Sequence, residues 1–237
     1  MPDAPAGAVK IVLAYSGGVD SVYLKWRLES EGHTVVPVTF SVPDLAIGQV
    51  AMNRRDRCYW CKRAMAAALN ARAAAEGAEA VMDGTNADDL AERRPGLRAM
   101  REAGVRSPLA EAGYTKAEVR RRARAAGLAV FARPSSPCLS TRFPYDFPLT
   151  PALLERAAAA EAAVRARLSP TDDLRVRCEG DGARTARIEV SPAAIGGLRR
   201  NFAAVEHELR ALGFTAVTLD PRGFRSGSYD ESPAAWR

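Results

Sequence analysis

At 237 residues the chain has room for one large or two small domains, and 47% apolar with 26% charged residues is an ordinary globular mixture. That balance excludes a disordered chain, and no apolar run is long enough to span a bilayer as a helix. A formal charge of +6 suits an anionic partner such as a nucleotide, a phosphorylated metabolite or RNA. Much of the excess, however, is arginine on an alanine-rich helix (Arg120, Arg121, Arg122, Arg124), which reads as a solvated face, so nucleic acid is not the expected partner. Met1 to Gly7 lack the basic start and apolar stretch of a signal peptide, and a cytoplasmic protein without membrane association is expected.

Val9 to Tyr15 is a nearly unbroken β-prone apolar run, as expected of a parallel strand buried on both faces, and it leads directly into Ser16-Gly17-Gly18-Val19-Asp20-Ser21. Ser21 to Ser30 follows as a short helix that Gly32 ends. Thr34 to Phe40 reads as a second strand, although Pro37 argues against a regular central one. Met65 to Glu76 reads as a helix and Ala80 to Met82 as a short strand opening into Asp83-Gly84-Thr85-Asn86-Ala87-Asp88-Asp89. A helix over Lys116 to Ala126 has Thr115 as N-cap and Glu118 three residues later, a capping box, and Leu128 to Phe131 reads as a last short strand. This alternation predicts an open, mostly parallel, Rossmann-like α/β sheet with ligands at the carboxyl ends of its strands.

Arg133 to Thr150 holds four prolines and reads as a linker carrying a site. Beyond it, a helix over Pro151 to Leu168, strands over Asp173 to Glu179 and Thr185 to Val190, a helix over Ile195 to Leu212 and a strand over Ala216 to Leu219 predict a smaller α+β domain. The expected boundaries are 1–149 and 150–237.

A glycine pair between a buried strand and a helix turns backbone N–H groups toward an anion, at the positive end of the helix. No lysine follows the glycines, which excludes a Walker loop, and the Rossmann Gly-x-Gly-x-x-Gly is absent at this position. Cys58 and Cys61 have the two-residue gap that lets two thiolates reach one metal or cluster, and Cys138 offers a third ligand. A three-cysteine [4Fe–4S] cluster leaves one iron open for a labile sulfide; a redox dithiol or a zinc site with a further ligand are the competing readings. Strand alternation assigns Cys178 to the core with Leu174 and Val176, and places Arg175 and Arg177 together on the other face, where two guanidinium forks suit a phosphate or carboxylates. Arg187 and Glu189 share a face of the next strand, so a salt-bridged sheet surface is the alternative for this set.

Ser16 to Ser21 resembles the SGGxDS signature of the PP-loop ATP pyrophosphatases. The resemblance implies ATP cleavage between the α and β phosphates, Asp20 helping to hold Mg2+, and Ala14 and Ser41 at the strand ends cradling adenosine. Gly84, Asn86 and Asp88 would then aid metal or ribose binding. With Arg57 to Lys62, Ser107-Pro108-Leu109, Thr115-Lys116, Pro137 to Arg142 and Gly223 to Ser228 added, nearly the whole chain resembles the LarE family of sulfur transferases. That resemblance implies adenylation of the carboxylates of pyridinium-3,5-biscarboxylic acid mononucleotide, then sulfur attack that expels AMP, on the way to a nickel-pincer nucleotide cofactor. It also implies a homo-oligomer with Arg175, Arg177 and Glu189 at the substrate. The family has a form that sacrifices one cysteine, matching Cys138, and a three-cysteine cluster form, which the presence of Cys58 and Cys61 favours. The sulfur source that recharges the site is not implied. A PP-loop tRNA thiolase is the alternative function. Asp146 stands where the family pattern leads one to expect glycine.

Overall fold

The computed structural model describes residues 7–41, 43–91 and 94–225. It divides into two compact units, residues 1–47 with 56–133, and residues 48–55 with 134–237.

In the first unit, β1 (Lys10–Ala14) leads through the glycine loop into α1 (Val19–Ser30), and β2 (Thr34–Val38) returns parallel to it. A short helix, α2 (Gly48–Ala51), belongs to the second unit, and the chain then re-enters the first as α3 (Arg57–Glu76). Next come β3 (Ala80–Met82), α4 (Ala87–Ala91), α5 (Pro95–Glu102), α6 (Pro108–Glu111) and α7 (Lys116–Ala125). The sheet order β2-β1-β3 puts β1 in the centre, where Ile11, Val12 and Leu13 are all fully buried. Alternation along β1 divides the core: Ile11 and Leu13 pack with Leu24, Leu28, Leu109 and Val119 from α1, α6 and α7, whereas Val12 packs with Ala66, Leu69 and Met100 from α3 and α5. Pro37 is accommodated because β2 is an edge strand.

The mixed α/β class and the parallel sheet agree with the sequence reading, as does the N-cap, where Thr115 Oγ1 accepts from Glu118 N at 3.2 Å; the Glu118 carboxylate pairs with Arg121 and Arg122. Three elements differ. Leu128 to Phe131 is no strand; Ala129–Ala132 form a 3-10 turn, pinned where the Arg120 guanidinium donates to the carbonyls of Phe131 (2.6 Å) and Arg133 (2.9 Å). Helix α3 starts at Arg57, not Met65, because Cys58-Tyr59-Trp60-Cys61 is its first turn. The helix expected over Ile195 to Leu212 is broken at Asn201, whose φ of −105° and ψ of 12° lie outside helical values.

The second unit contains α8 (Pro151–Arg165), capped by Thr150 Oγ1, then β4 (Leu174–Glu179), β5 (Thr185–Val190), α9 (Ile195–Arg200), α10 (Phe202–Ala211) and β6 (Ala216–Leu219). β4 and β5 are antiparallel, β5 and β6 parallel. Leu174, Val176, Cys178, Ala186, Ile188 and Val190 supply the apolar side of the sheet, and α8 and α10 pack against the strands. Residues 48–55 are tied into this unit by Leu149 N to Ala51 O (2.7 Å), Asp146 N to Asn53 O (3.1 Å) and Asn53 Nδ2 to Pro144 O (2.6 Å). Asp146 has φ of +62°, the backbone shape for which glycine is suited, and its carboxylate is paired with Arg54 at 2.6 Å.

Gly223 closes the turn after β6 with φ of +68°, and a Cβ there would lie 2.7 Å from Val190 O. Gly223→Ala therefore combines backbone strain with a clash against a strand, and a loss of about 2 kcal/mol is expected in urea unfolding of the intact protein.

Candidate active site

The loop at the carboxyl end of β1 is built largely from its own side chains. Gly17 takes φ of +72°, which a residue with a Cβ rarely adopts, and Gly18 is the N-cap of α1. Ser16 Oγ accepts from Gly18 N at 3.3 Å and lies 3.2 Å from Ser21 Oγ, which donates to Gly18 O at 3.1 Å. The result is a compact turn opening at a helix N-terminus, an arrangement suited to phosphate. Tyr15 N donates to Val38 O (2.8 Å) and Thr39 Oγ1 to Tyr15 O (2.8 Å), fixing the strand ends beside Ala14. Ser41, exposed beyond β2, makes none of these contacts among the described residues.

The segment after β3 packs directly on this loop. A Cβ on Gly84 would sit 2.9 Å from Ser21 N, so glycine is what allows the two backbones to meet. Asp83 accepts from Thr85 N (3.0 Å) and Ser107 Oγ (2.8 Å), while Asn86 Oδ1 accepts from Asp88 N at 3.0 Å. Asn86 Nδ2 reaches Asp20 Oδ1 at 3.5 Å, and Asp88 accepts from Lys116 N at 2.8 Å. Lys116 Nζ forms a short ion pair with Asp20, and Arg133 donates to Gly17 O at 3.1 Å. Ser16, Gly17, Gly18, Asp20, Ser21, Gly84, Asn86 and Asp88 are thus brought to one place. Sequence reasoning gave no role to Lys116 or Arg133: both are distant in the chain, and only the packing of α7 and the 3-10 turn beside α1 delivers them. The capped start of α7 and the Thr115-Lys116 match to the family pattern were the local signals at Lys116.

Cys58, exposed, and Cys61, half-buried, lie three residues apart on the first turn of α3, on the same side of the helix. The turn is braced by aromatic side chains: Tyr59 hydroxyl donates to Glu102 at 2.7 Å beneath the Arg98 guanidinium, and Trp60 Nε1 donates to Asp56 at 2.8 Å. Gly96 brings α5 against this turn, since a Cβ there would meet Lys62 Cγ at 2.9 Å and Cys58 O at 3.2 Å.

In the second unit Cys138 opens a 3-10 turn, Leu139–Arg142, with its Sγ 3.2 Å from Ser140 Oγ. Buried arginines hold the segment. Arg142, 1% exposed, makes a bidentate pair with Glu161 of α8 (2.6 and 3.0 Å) and donates to Thr141 Oγ1 at 2.7 Å. Arg175 donates to Ser135 O and Arg177 to Thr141 O, both at 2.9 Å, gripping the chain on either side of Cys138. Arg177 is also paired with Glu189 at 2.9 Å, and Arg187 with Glu179, Glu189 and Asp220. The polar side of β4 and β5 is therefore salt-bridged, as in the alternative reading, but buried: Glu189 is fully enclosed. Among the described residues Arg175 has no carboxylate partner; it stacks on Phe224 at 4.8 Å. Desolvation, with the neighbouring Arg142 charge, pushes its pKa down to about 10, which still leaves it charged at neutral pH.

Cys178 is fully buried, and desolvation pushes its thiol up to about 12. No disulfide joins the four cysteines. Iodoacetamide under native conditions is expected to label Cys58 and spare Cys178, whereas urea opens all four to alkylation; peptide mass spectrometry reads the difference. Among the described residues no group of three or more His, Cys, Asp or Glu side chains is arranged to hold a metal ion. Cys58 and Cys61 belong to the first unit and Cys138 to the second, and thiolates are the ligand type that iron takes. Asp20 and the adjoining Asn86 are hard oxygen donors, which fits magnesium. No helix among the described residues is long and apolar enough to cross a membrane.

No protein-family model matches the chain. It is 35% identical over 248 residues to an uncharacterized protein of Synechocystis, covering 92% of this chain and 91% of that one. It is 33% identical over 252 residues to the pyridinium-3,5-bisthiocarboxylic acid mononucleotide synthase of Lactiplantibacillus plantarum, covering 94% and 90%. An uncharacterized protein of Methanocaldococcus jannaschii is 30% identical over 158 residues, 58% of this chain. The parallel sheet and the glycine loop that follows its central strand define an α/β protein. The chain belongs to the LarE family of sulfurtransferases.

Proposed function

We propose that this enzyme uses ATP to adenylate, one after the other, the two carboxylates of pyridinium-3,5-biscarboxylic acid mononucleotide, and converts each to a thiocarboxylate. The observation that carries the reading is the convergence of the Ser16–Ser21 loop, the Asp20 carboxylate and Lys116 at the end of β1, in a chain so similar to the Lactiplantibacillus synthase. In this reading the N–H groups of the loop receive the terminal phosphates of ATP. A substrate carboxylate oxygen attacks the α-phosphorus, the bond to the β-phosphate oxygen breaks, and pyrophosphate departs with the electron pair. Sulfur then attacks the acyl carbon and AMP leaves, a far better leaving group than oxide. Asp20 would hold magnesium, which would supply positive charge against the pyrophosphate leaving group. Lys116, held at the loop by Asp20, offers its charge to the phosphates.

For sulfur, Cys58, Cys61 and Cys138 are the proposed ligands of a [4Fe–4S] cluster, which supplies an open iron able to carry a sulfide. Arg175 and Arg177 hold the segment that bears Cys138, and Arg175 offers its charge to an anionic group of the substrate. Mass spectrometry after supplying ATP, magnesium and the mononucleotide tests the whole reading. Thiolated product with an intact chain supports it; loss of the mass of hydrogen sulfide at Cys138 assigns the sulfur to that residue instead; AMP without thiolated product rules out transfer. Anaerobic reconstitution gives a separate check on the ligands: the iron content of Cys58→Ala is expected to fall to background, and unchanged iron would sink the cluster.

A further inference from the structure

Two cations converge on the glycine loop, and they differ in what holds them. Lys116 is paired with the Asp20 carboxylate. Arg133 makes no ion pair among the described residues; its guanidinium is exposed and donates to a neutral acceptor, the carbonyl of Gly17, at 3.1 Å. Its backbone, by contrast, is fixed. Arg133 N donates to Val130 O at 3.0 Å, and Arg120 holds the carbonyls of Phe131 and Arg133. A charged fork is thus delivered by a hydrogen-bonded turn to the mouth of an anion-binding loop, with no carboxylate among the described residues to satisfy it. A phosphate oxygen is a stronger acceptor than a peptide carbonyl and accepts the guanidinium fork at two points.

We propose that Arg133 is a phosphate-gripping residue of the active site, exchanging the Gly17 carbonyl for the β and γ phosphates of ATP and retaining the pyrophosphate after cleavage. This rests on the ATP-cleaving reading above and extends it to a residue that reading does not use. Arg133 is also the last residue of the first unit.

The test is titration of inorganic pyrophosphate with magnesium into the intact protein by calorimetry, with wild type, Arg133→Ala, Arg133→Lys and Arg72→Ala compared. Arg72 is an exposed arginine of α3 paired with Glu76, and its removal controls for net charge. Arg133→Ala is expected to weaken binding by roughly ten- to a hundredfold, the range for a lost charge-assisted contact. Arg133→Lys should fall between, and Arg72→Ala within about twofold of wild type by the weakness of remote surface charge. Pyrophosphate binding by Arg133→Ala within that same twofold margin overturns the assignment, as does an equal loss in Arg72→Ala. Pyrophosphate release from ATP by the wild type is measured in parallel. If the wild type releases pyrophosphate while Arg133→Ala binds it normally, the inference about Arg133 fails alone; if the wild type releases none, the ATP-cleaving reading fails and the inference with it.

Discussion

Asp20→Asn is expected to lower ATP-dependent pyrophosphate release by at least about a hundredfold while changing stability by less than about 1 kcal/mol. The two halves of that expectation come from different features. The Asp20–Lys116 pair is partly open to solvent, with 19% and 34% of the side chains exposed, so its contribution to folding is that of a surface ion pair. The amide retains the size of the carboxylate and can still meet Asn86, so the loop keeps its shape. What it loses is the negative charge that pairs with Lys116 and that, in the proposed reaction, would attract a divalent cation. Pyrophosphate release measured beside thermal unfolding distinguishes the cases: lost activity with unchanged unfolding assigns a chemical role to Asp20, and a matching collapse of both would make it structural.

The second large effect falls on the Cys138 segment. Arg142 is almost completely buried and the Glu161 carboxylate meets it at two points. Glu161→Ala leaves a guanidinium in a desolvated site without its counter-charge, and also takes the acceptor from Val176 N (3.0 Å). A loss of about 3–5 kcal/mol is expected, near the whole margin of many domains. Because an uncompensated charge is the cause, replacing both partners, Arg142→Met with Glu161→Leu, should recover more than half of that loss in urea unfolding. Sulfur transfer should not recover with it, since Arg142 also ties Thr141 beside the turn that Cys138 opens. Recovery of both properties together would show that the arginine acts only as packing.

The legibility of the sequence differed between the two halves of the site. The loop from Ser16 to Ser21 could be read locally, since strand, glycine pair and helix are consecutive and their chemistry depends on backbone N–H groups. Gly84, Asn86 and Asp88 followed because they lie at the end of a parallel strand, where such sheets bind ligands. Lys116 and Arg133 reach the loop only through the packing of α7 and its following turn on α1, which no local pattern encodes. Arg175 and Arg177 were correctly placed on one side of β4 by alternation, but alternation does not say whether a polar side is covered. It is covered here, and the guanidiniums hold backbone carbonyls at Ser135 and Thr141. The sequence reading starts the helix at Met65, after the cysteines, because it uses their spacing for its ligand chemistry alone, whereas a three-residue step also fits one helical turn.

The excursion of residues 48–55 into the second unit bears on how the chain is made. During synthesis this short segment leaves the ribosome long before its partners: Asn53 waits for Phe143 and Pro144, 90 and 91 positions later. The first unit is interrupted for that whole interval by a stretch that has no place of its own to bury Val50 or Asn53. Closing so long a loop costs only slightly more than closing a short one, so the finished protein loses little, but the delay is unavoidable. A nascent chain halted near residue 133 would still lack Phe143, Pro144 and Leu149, the partners that hold those eight residues in the finished protein.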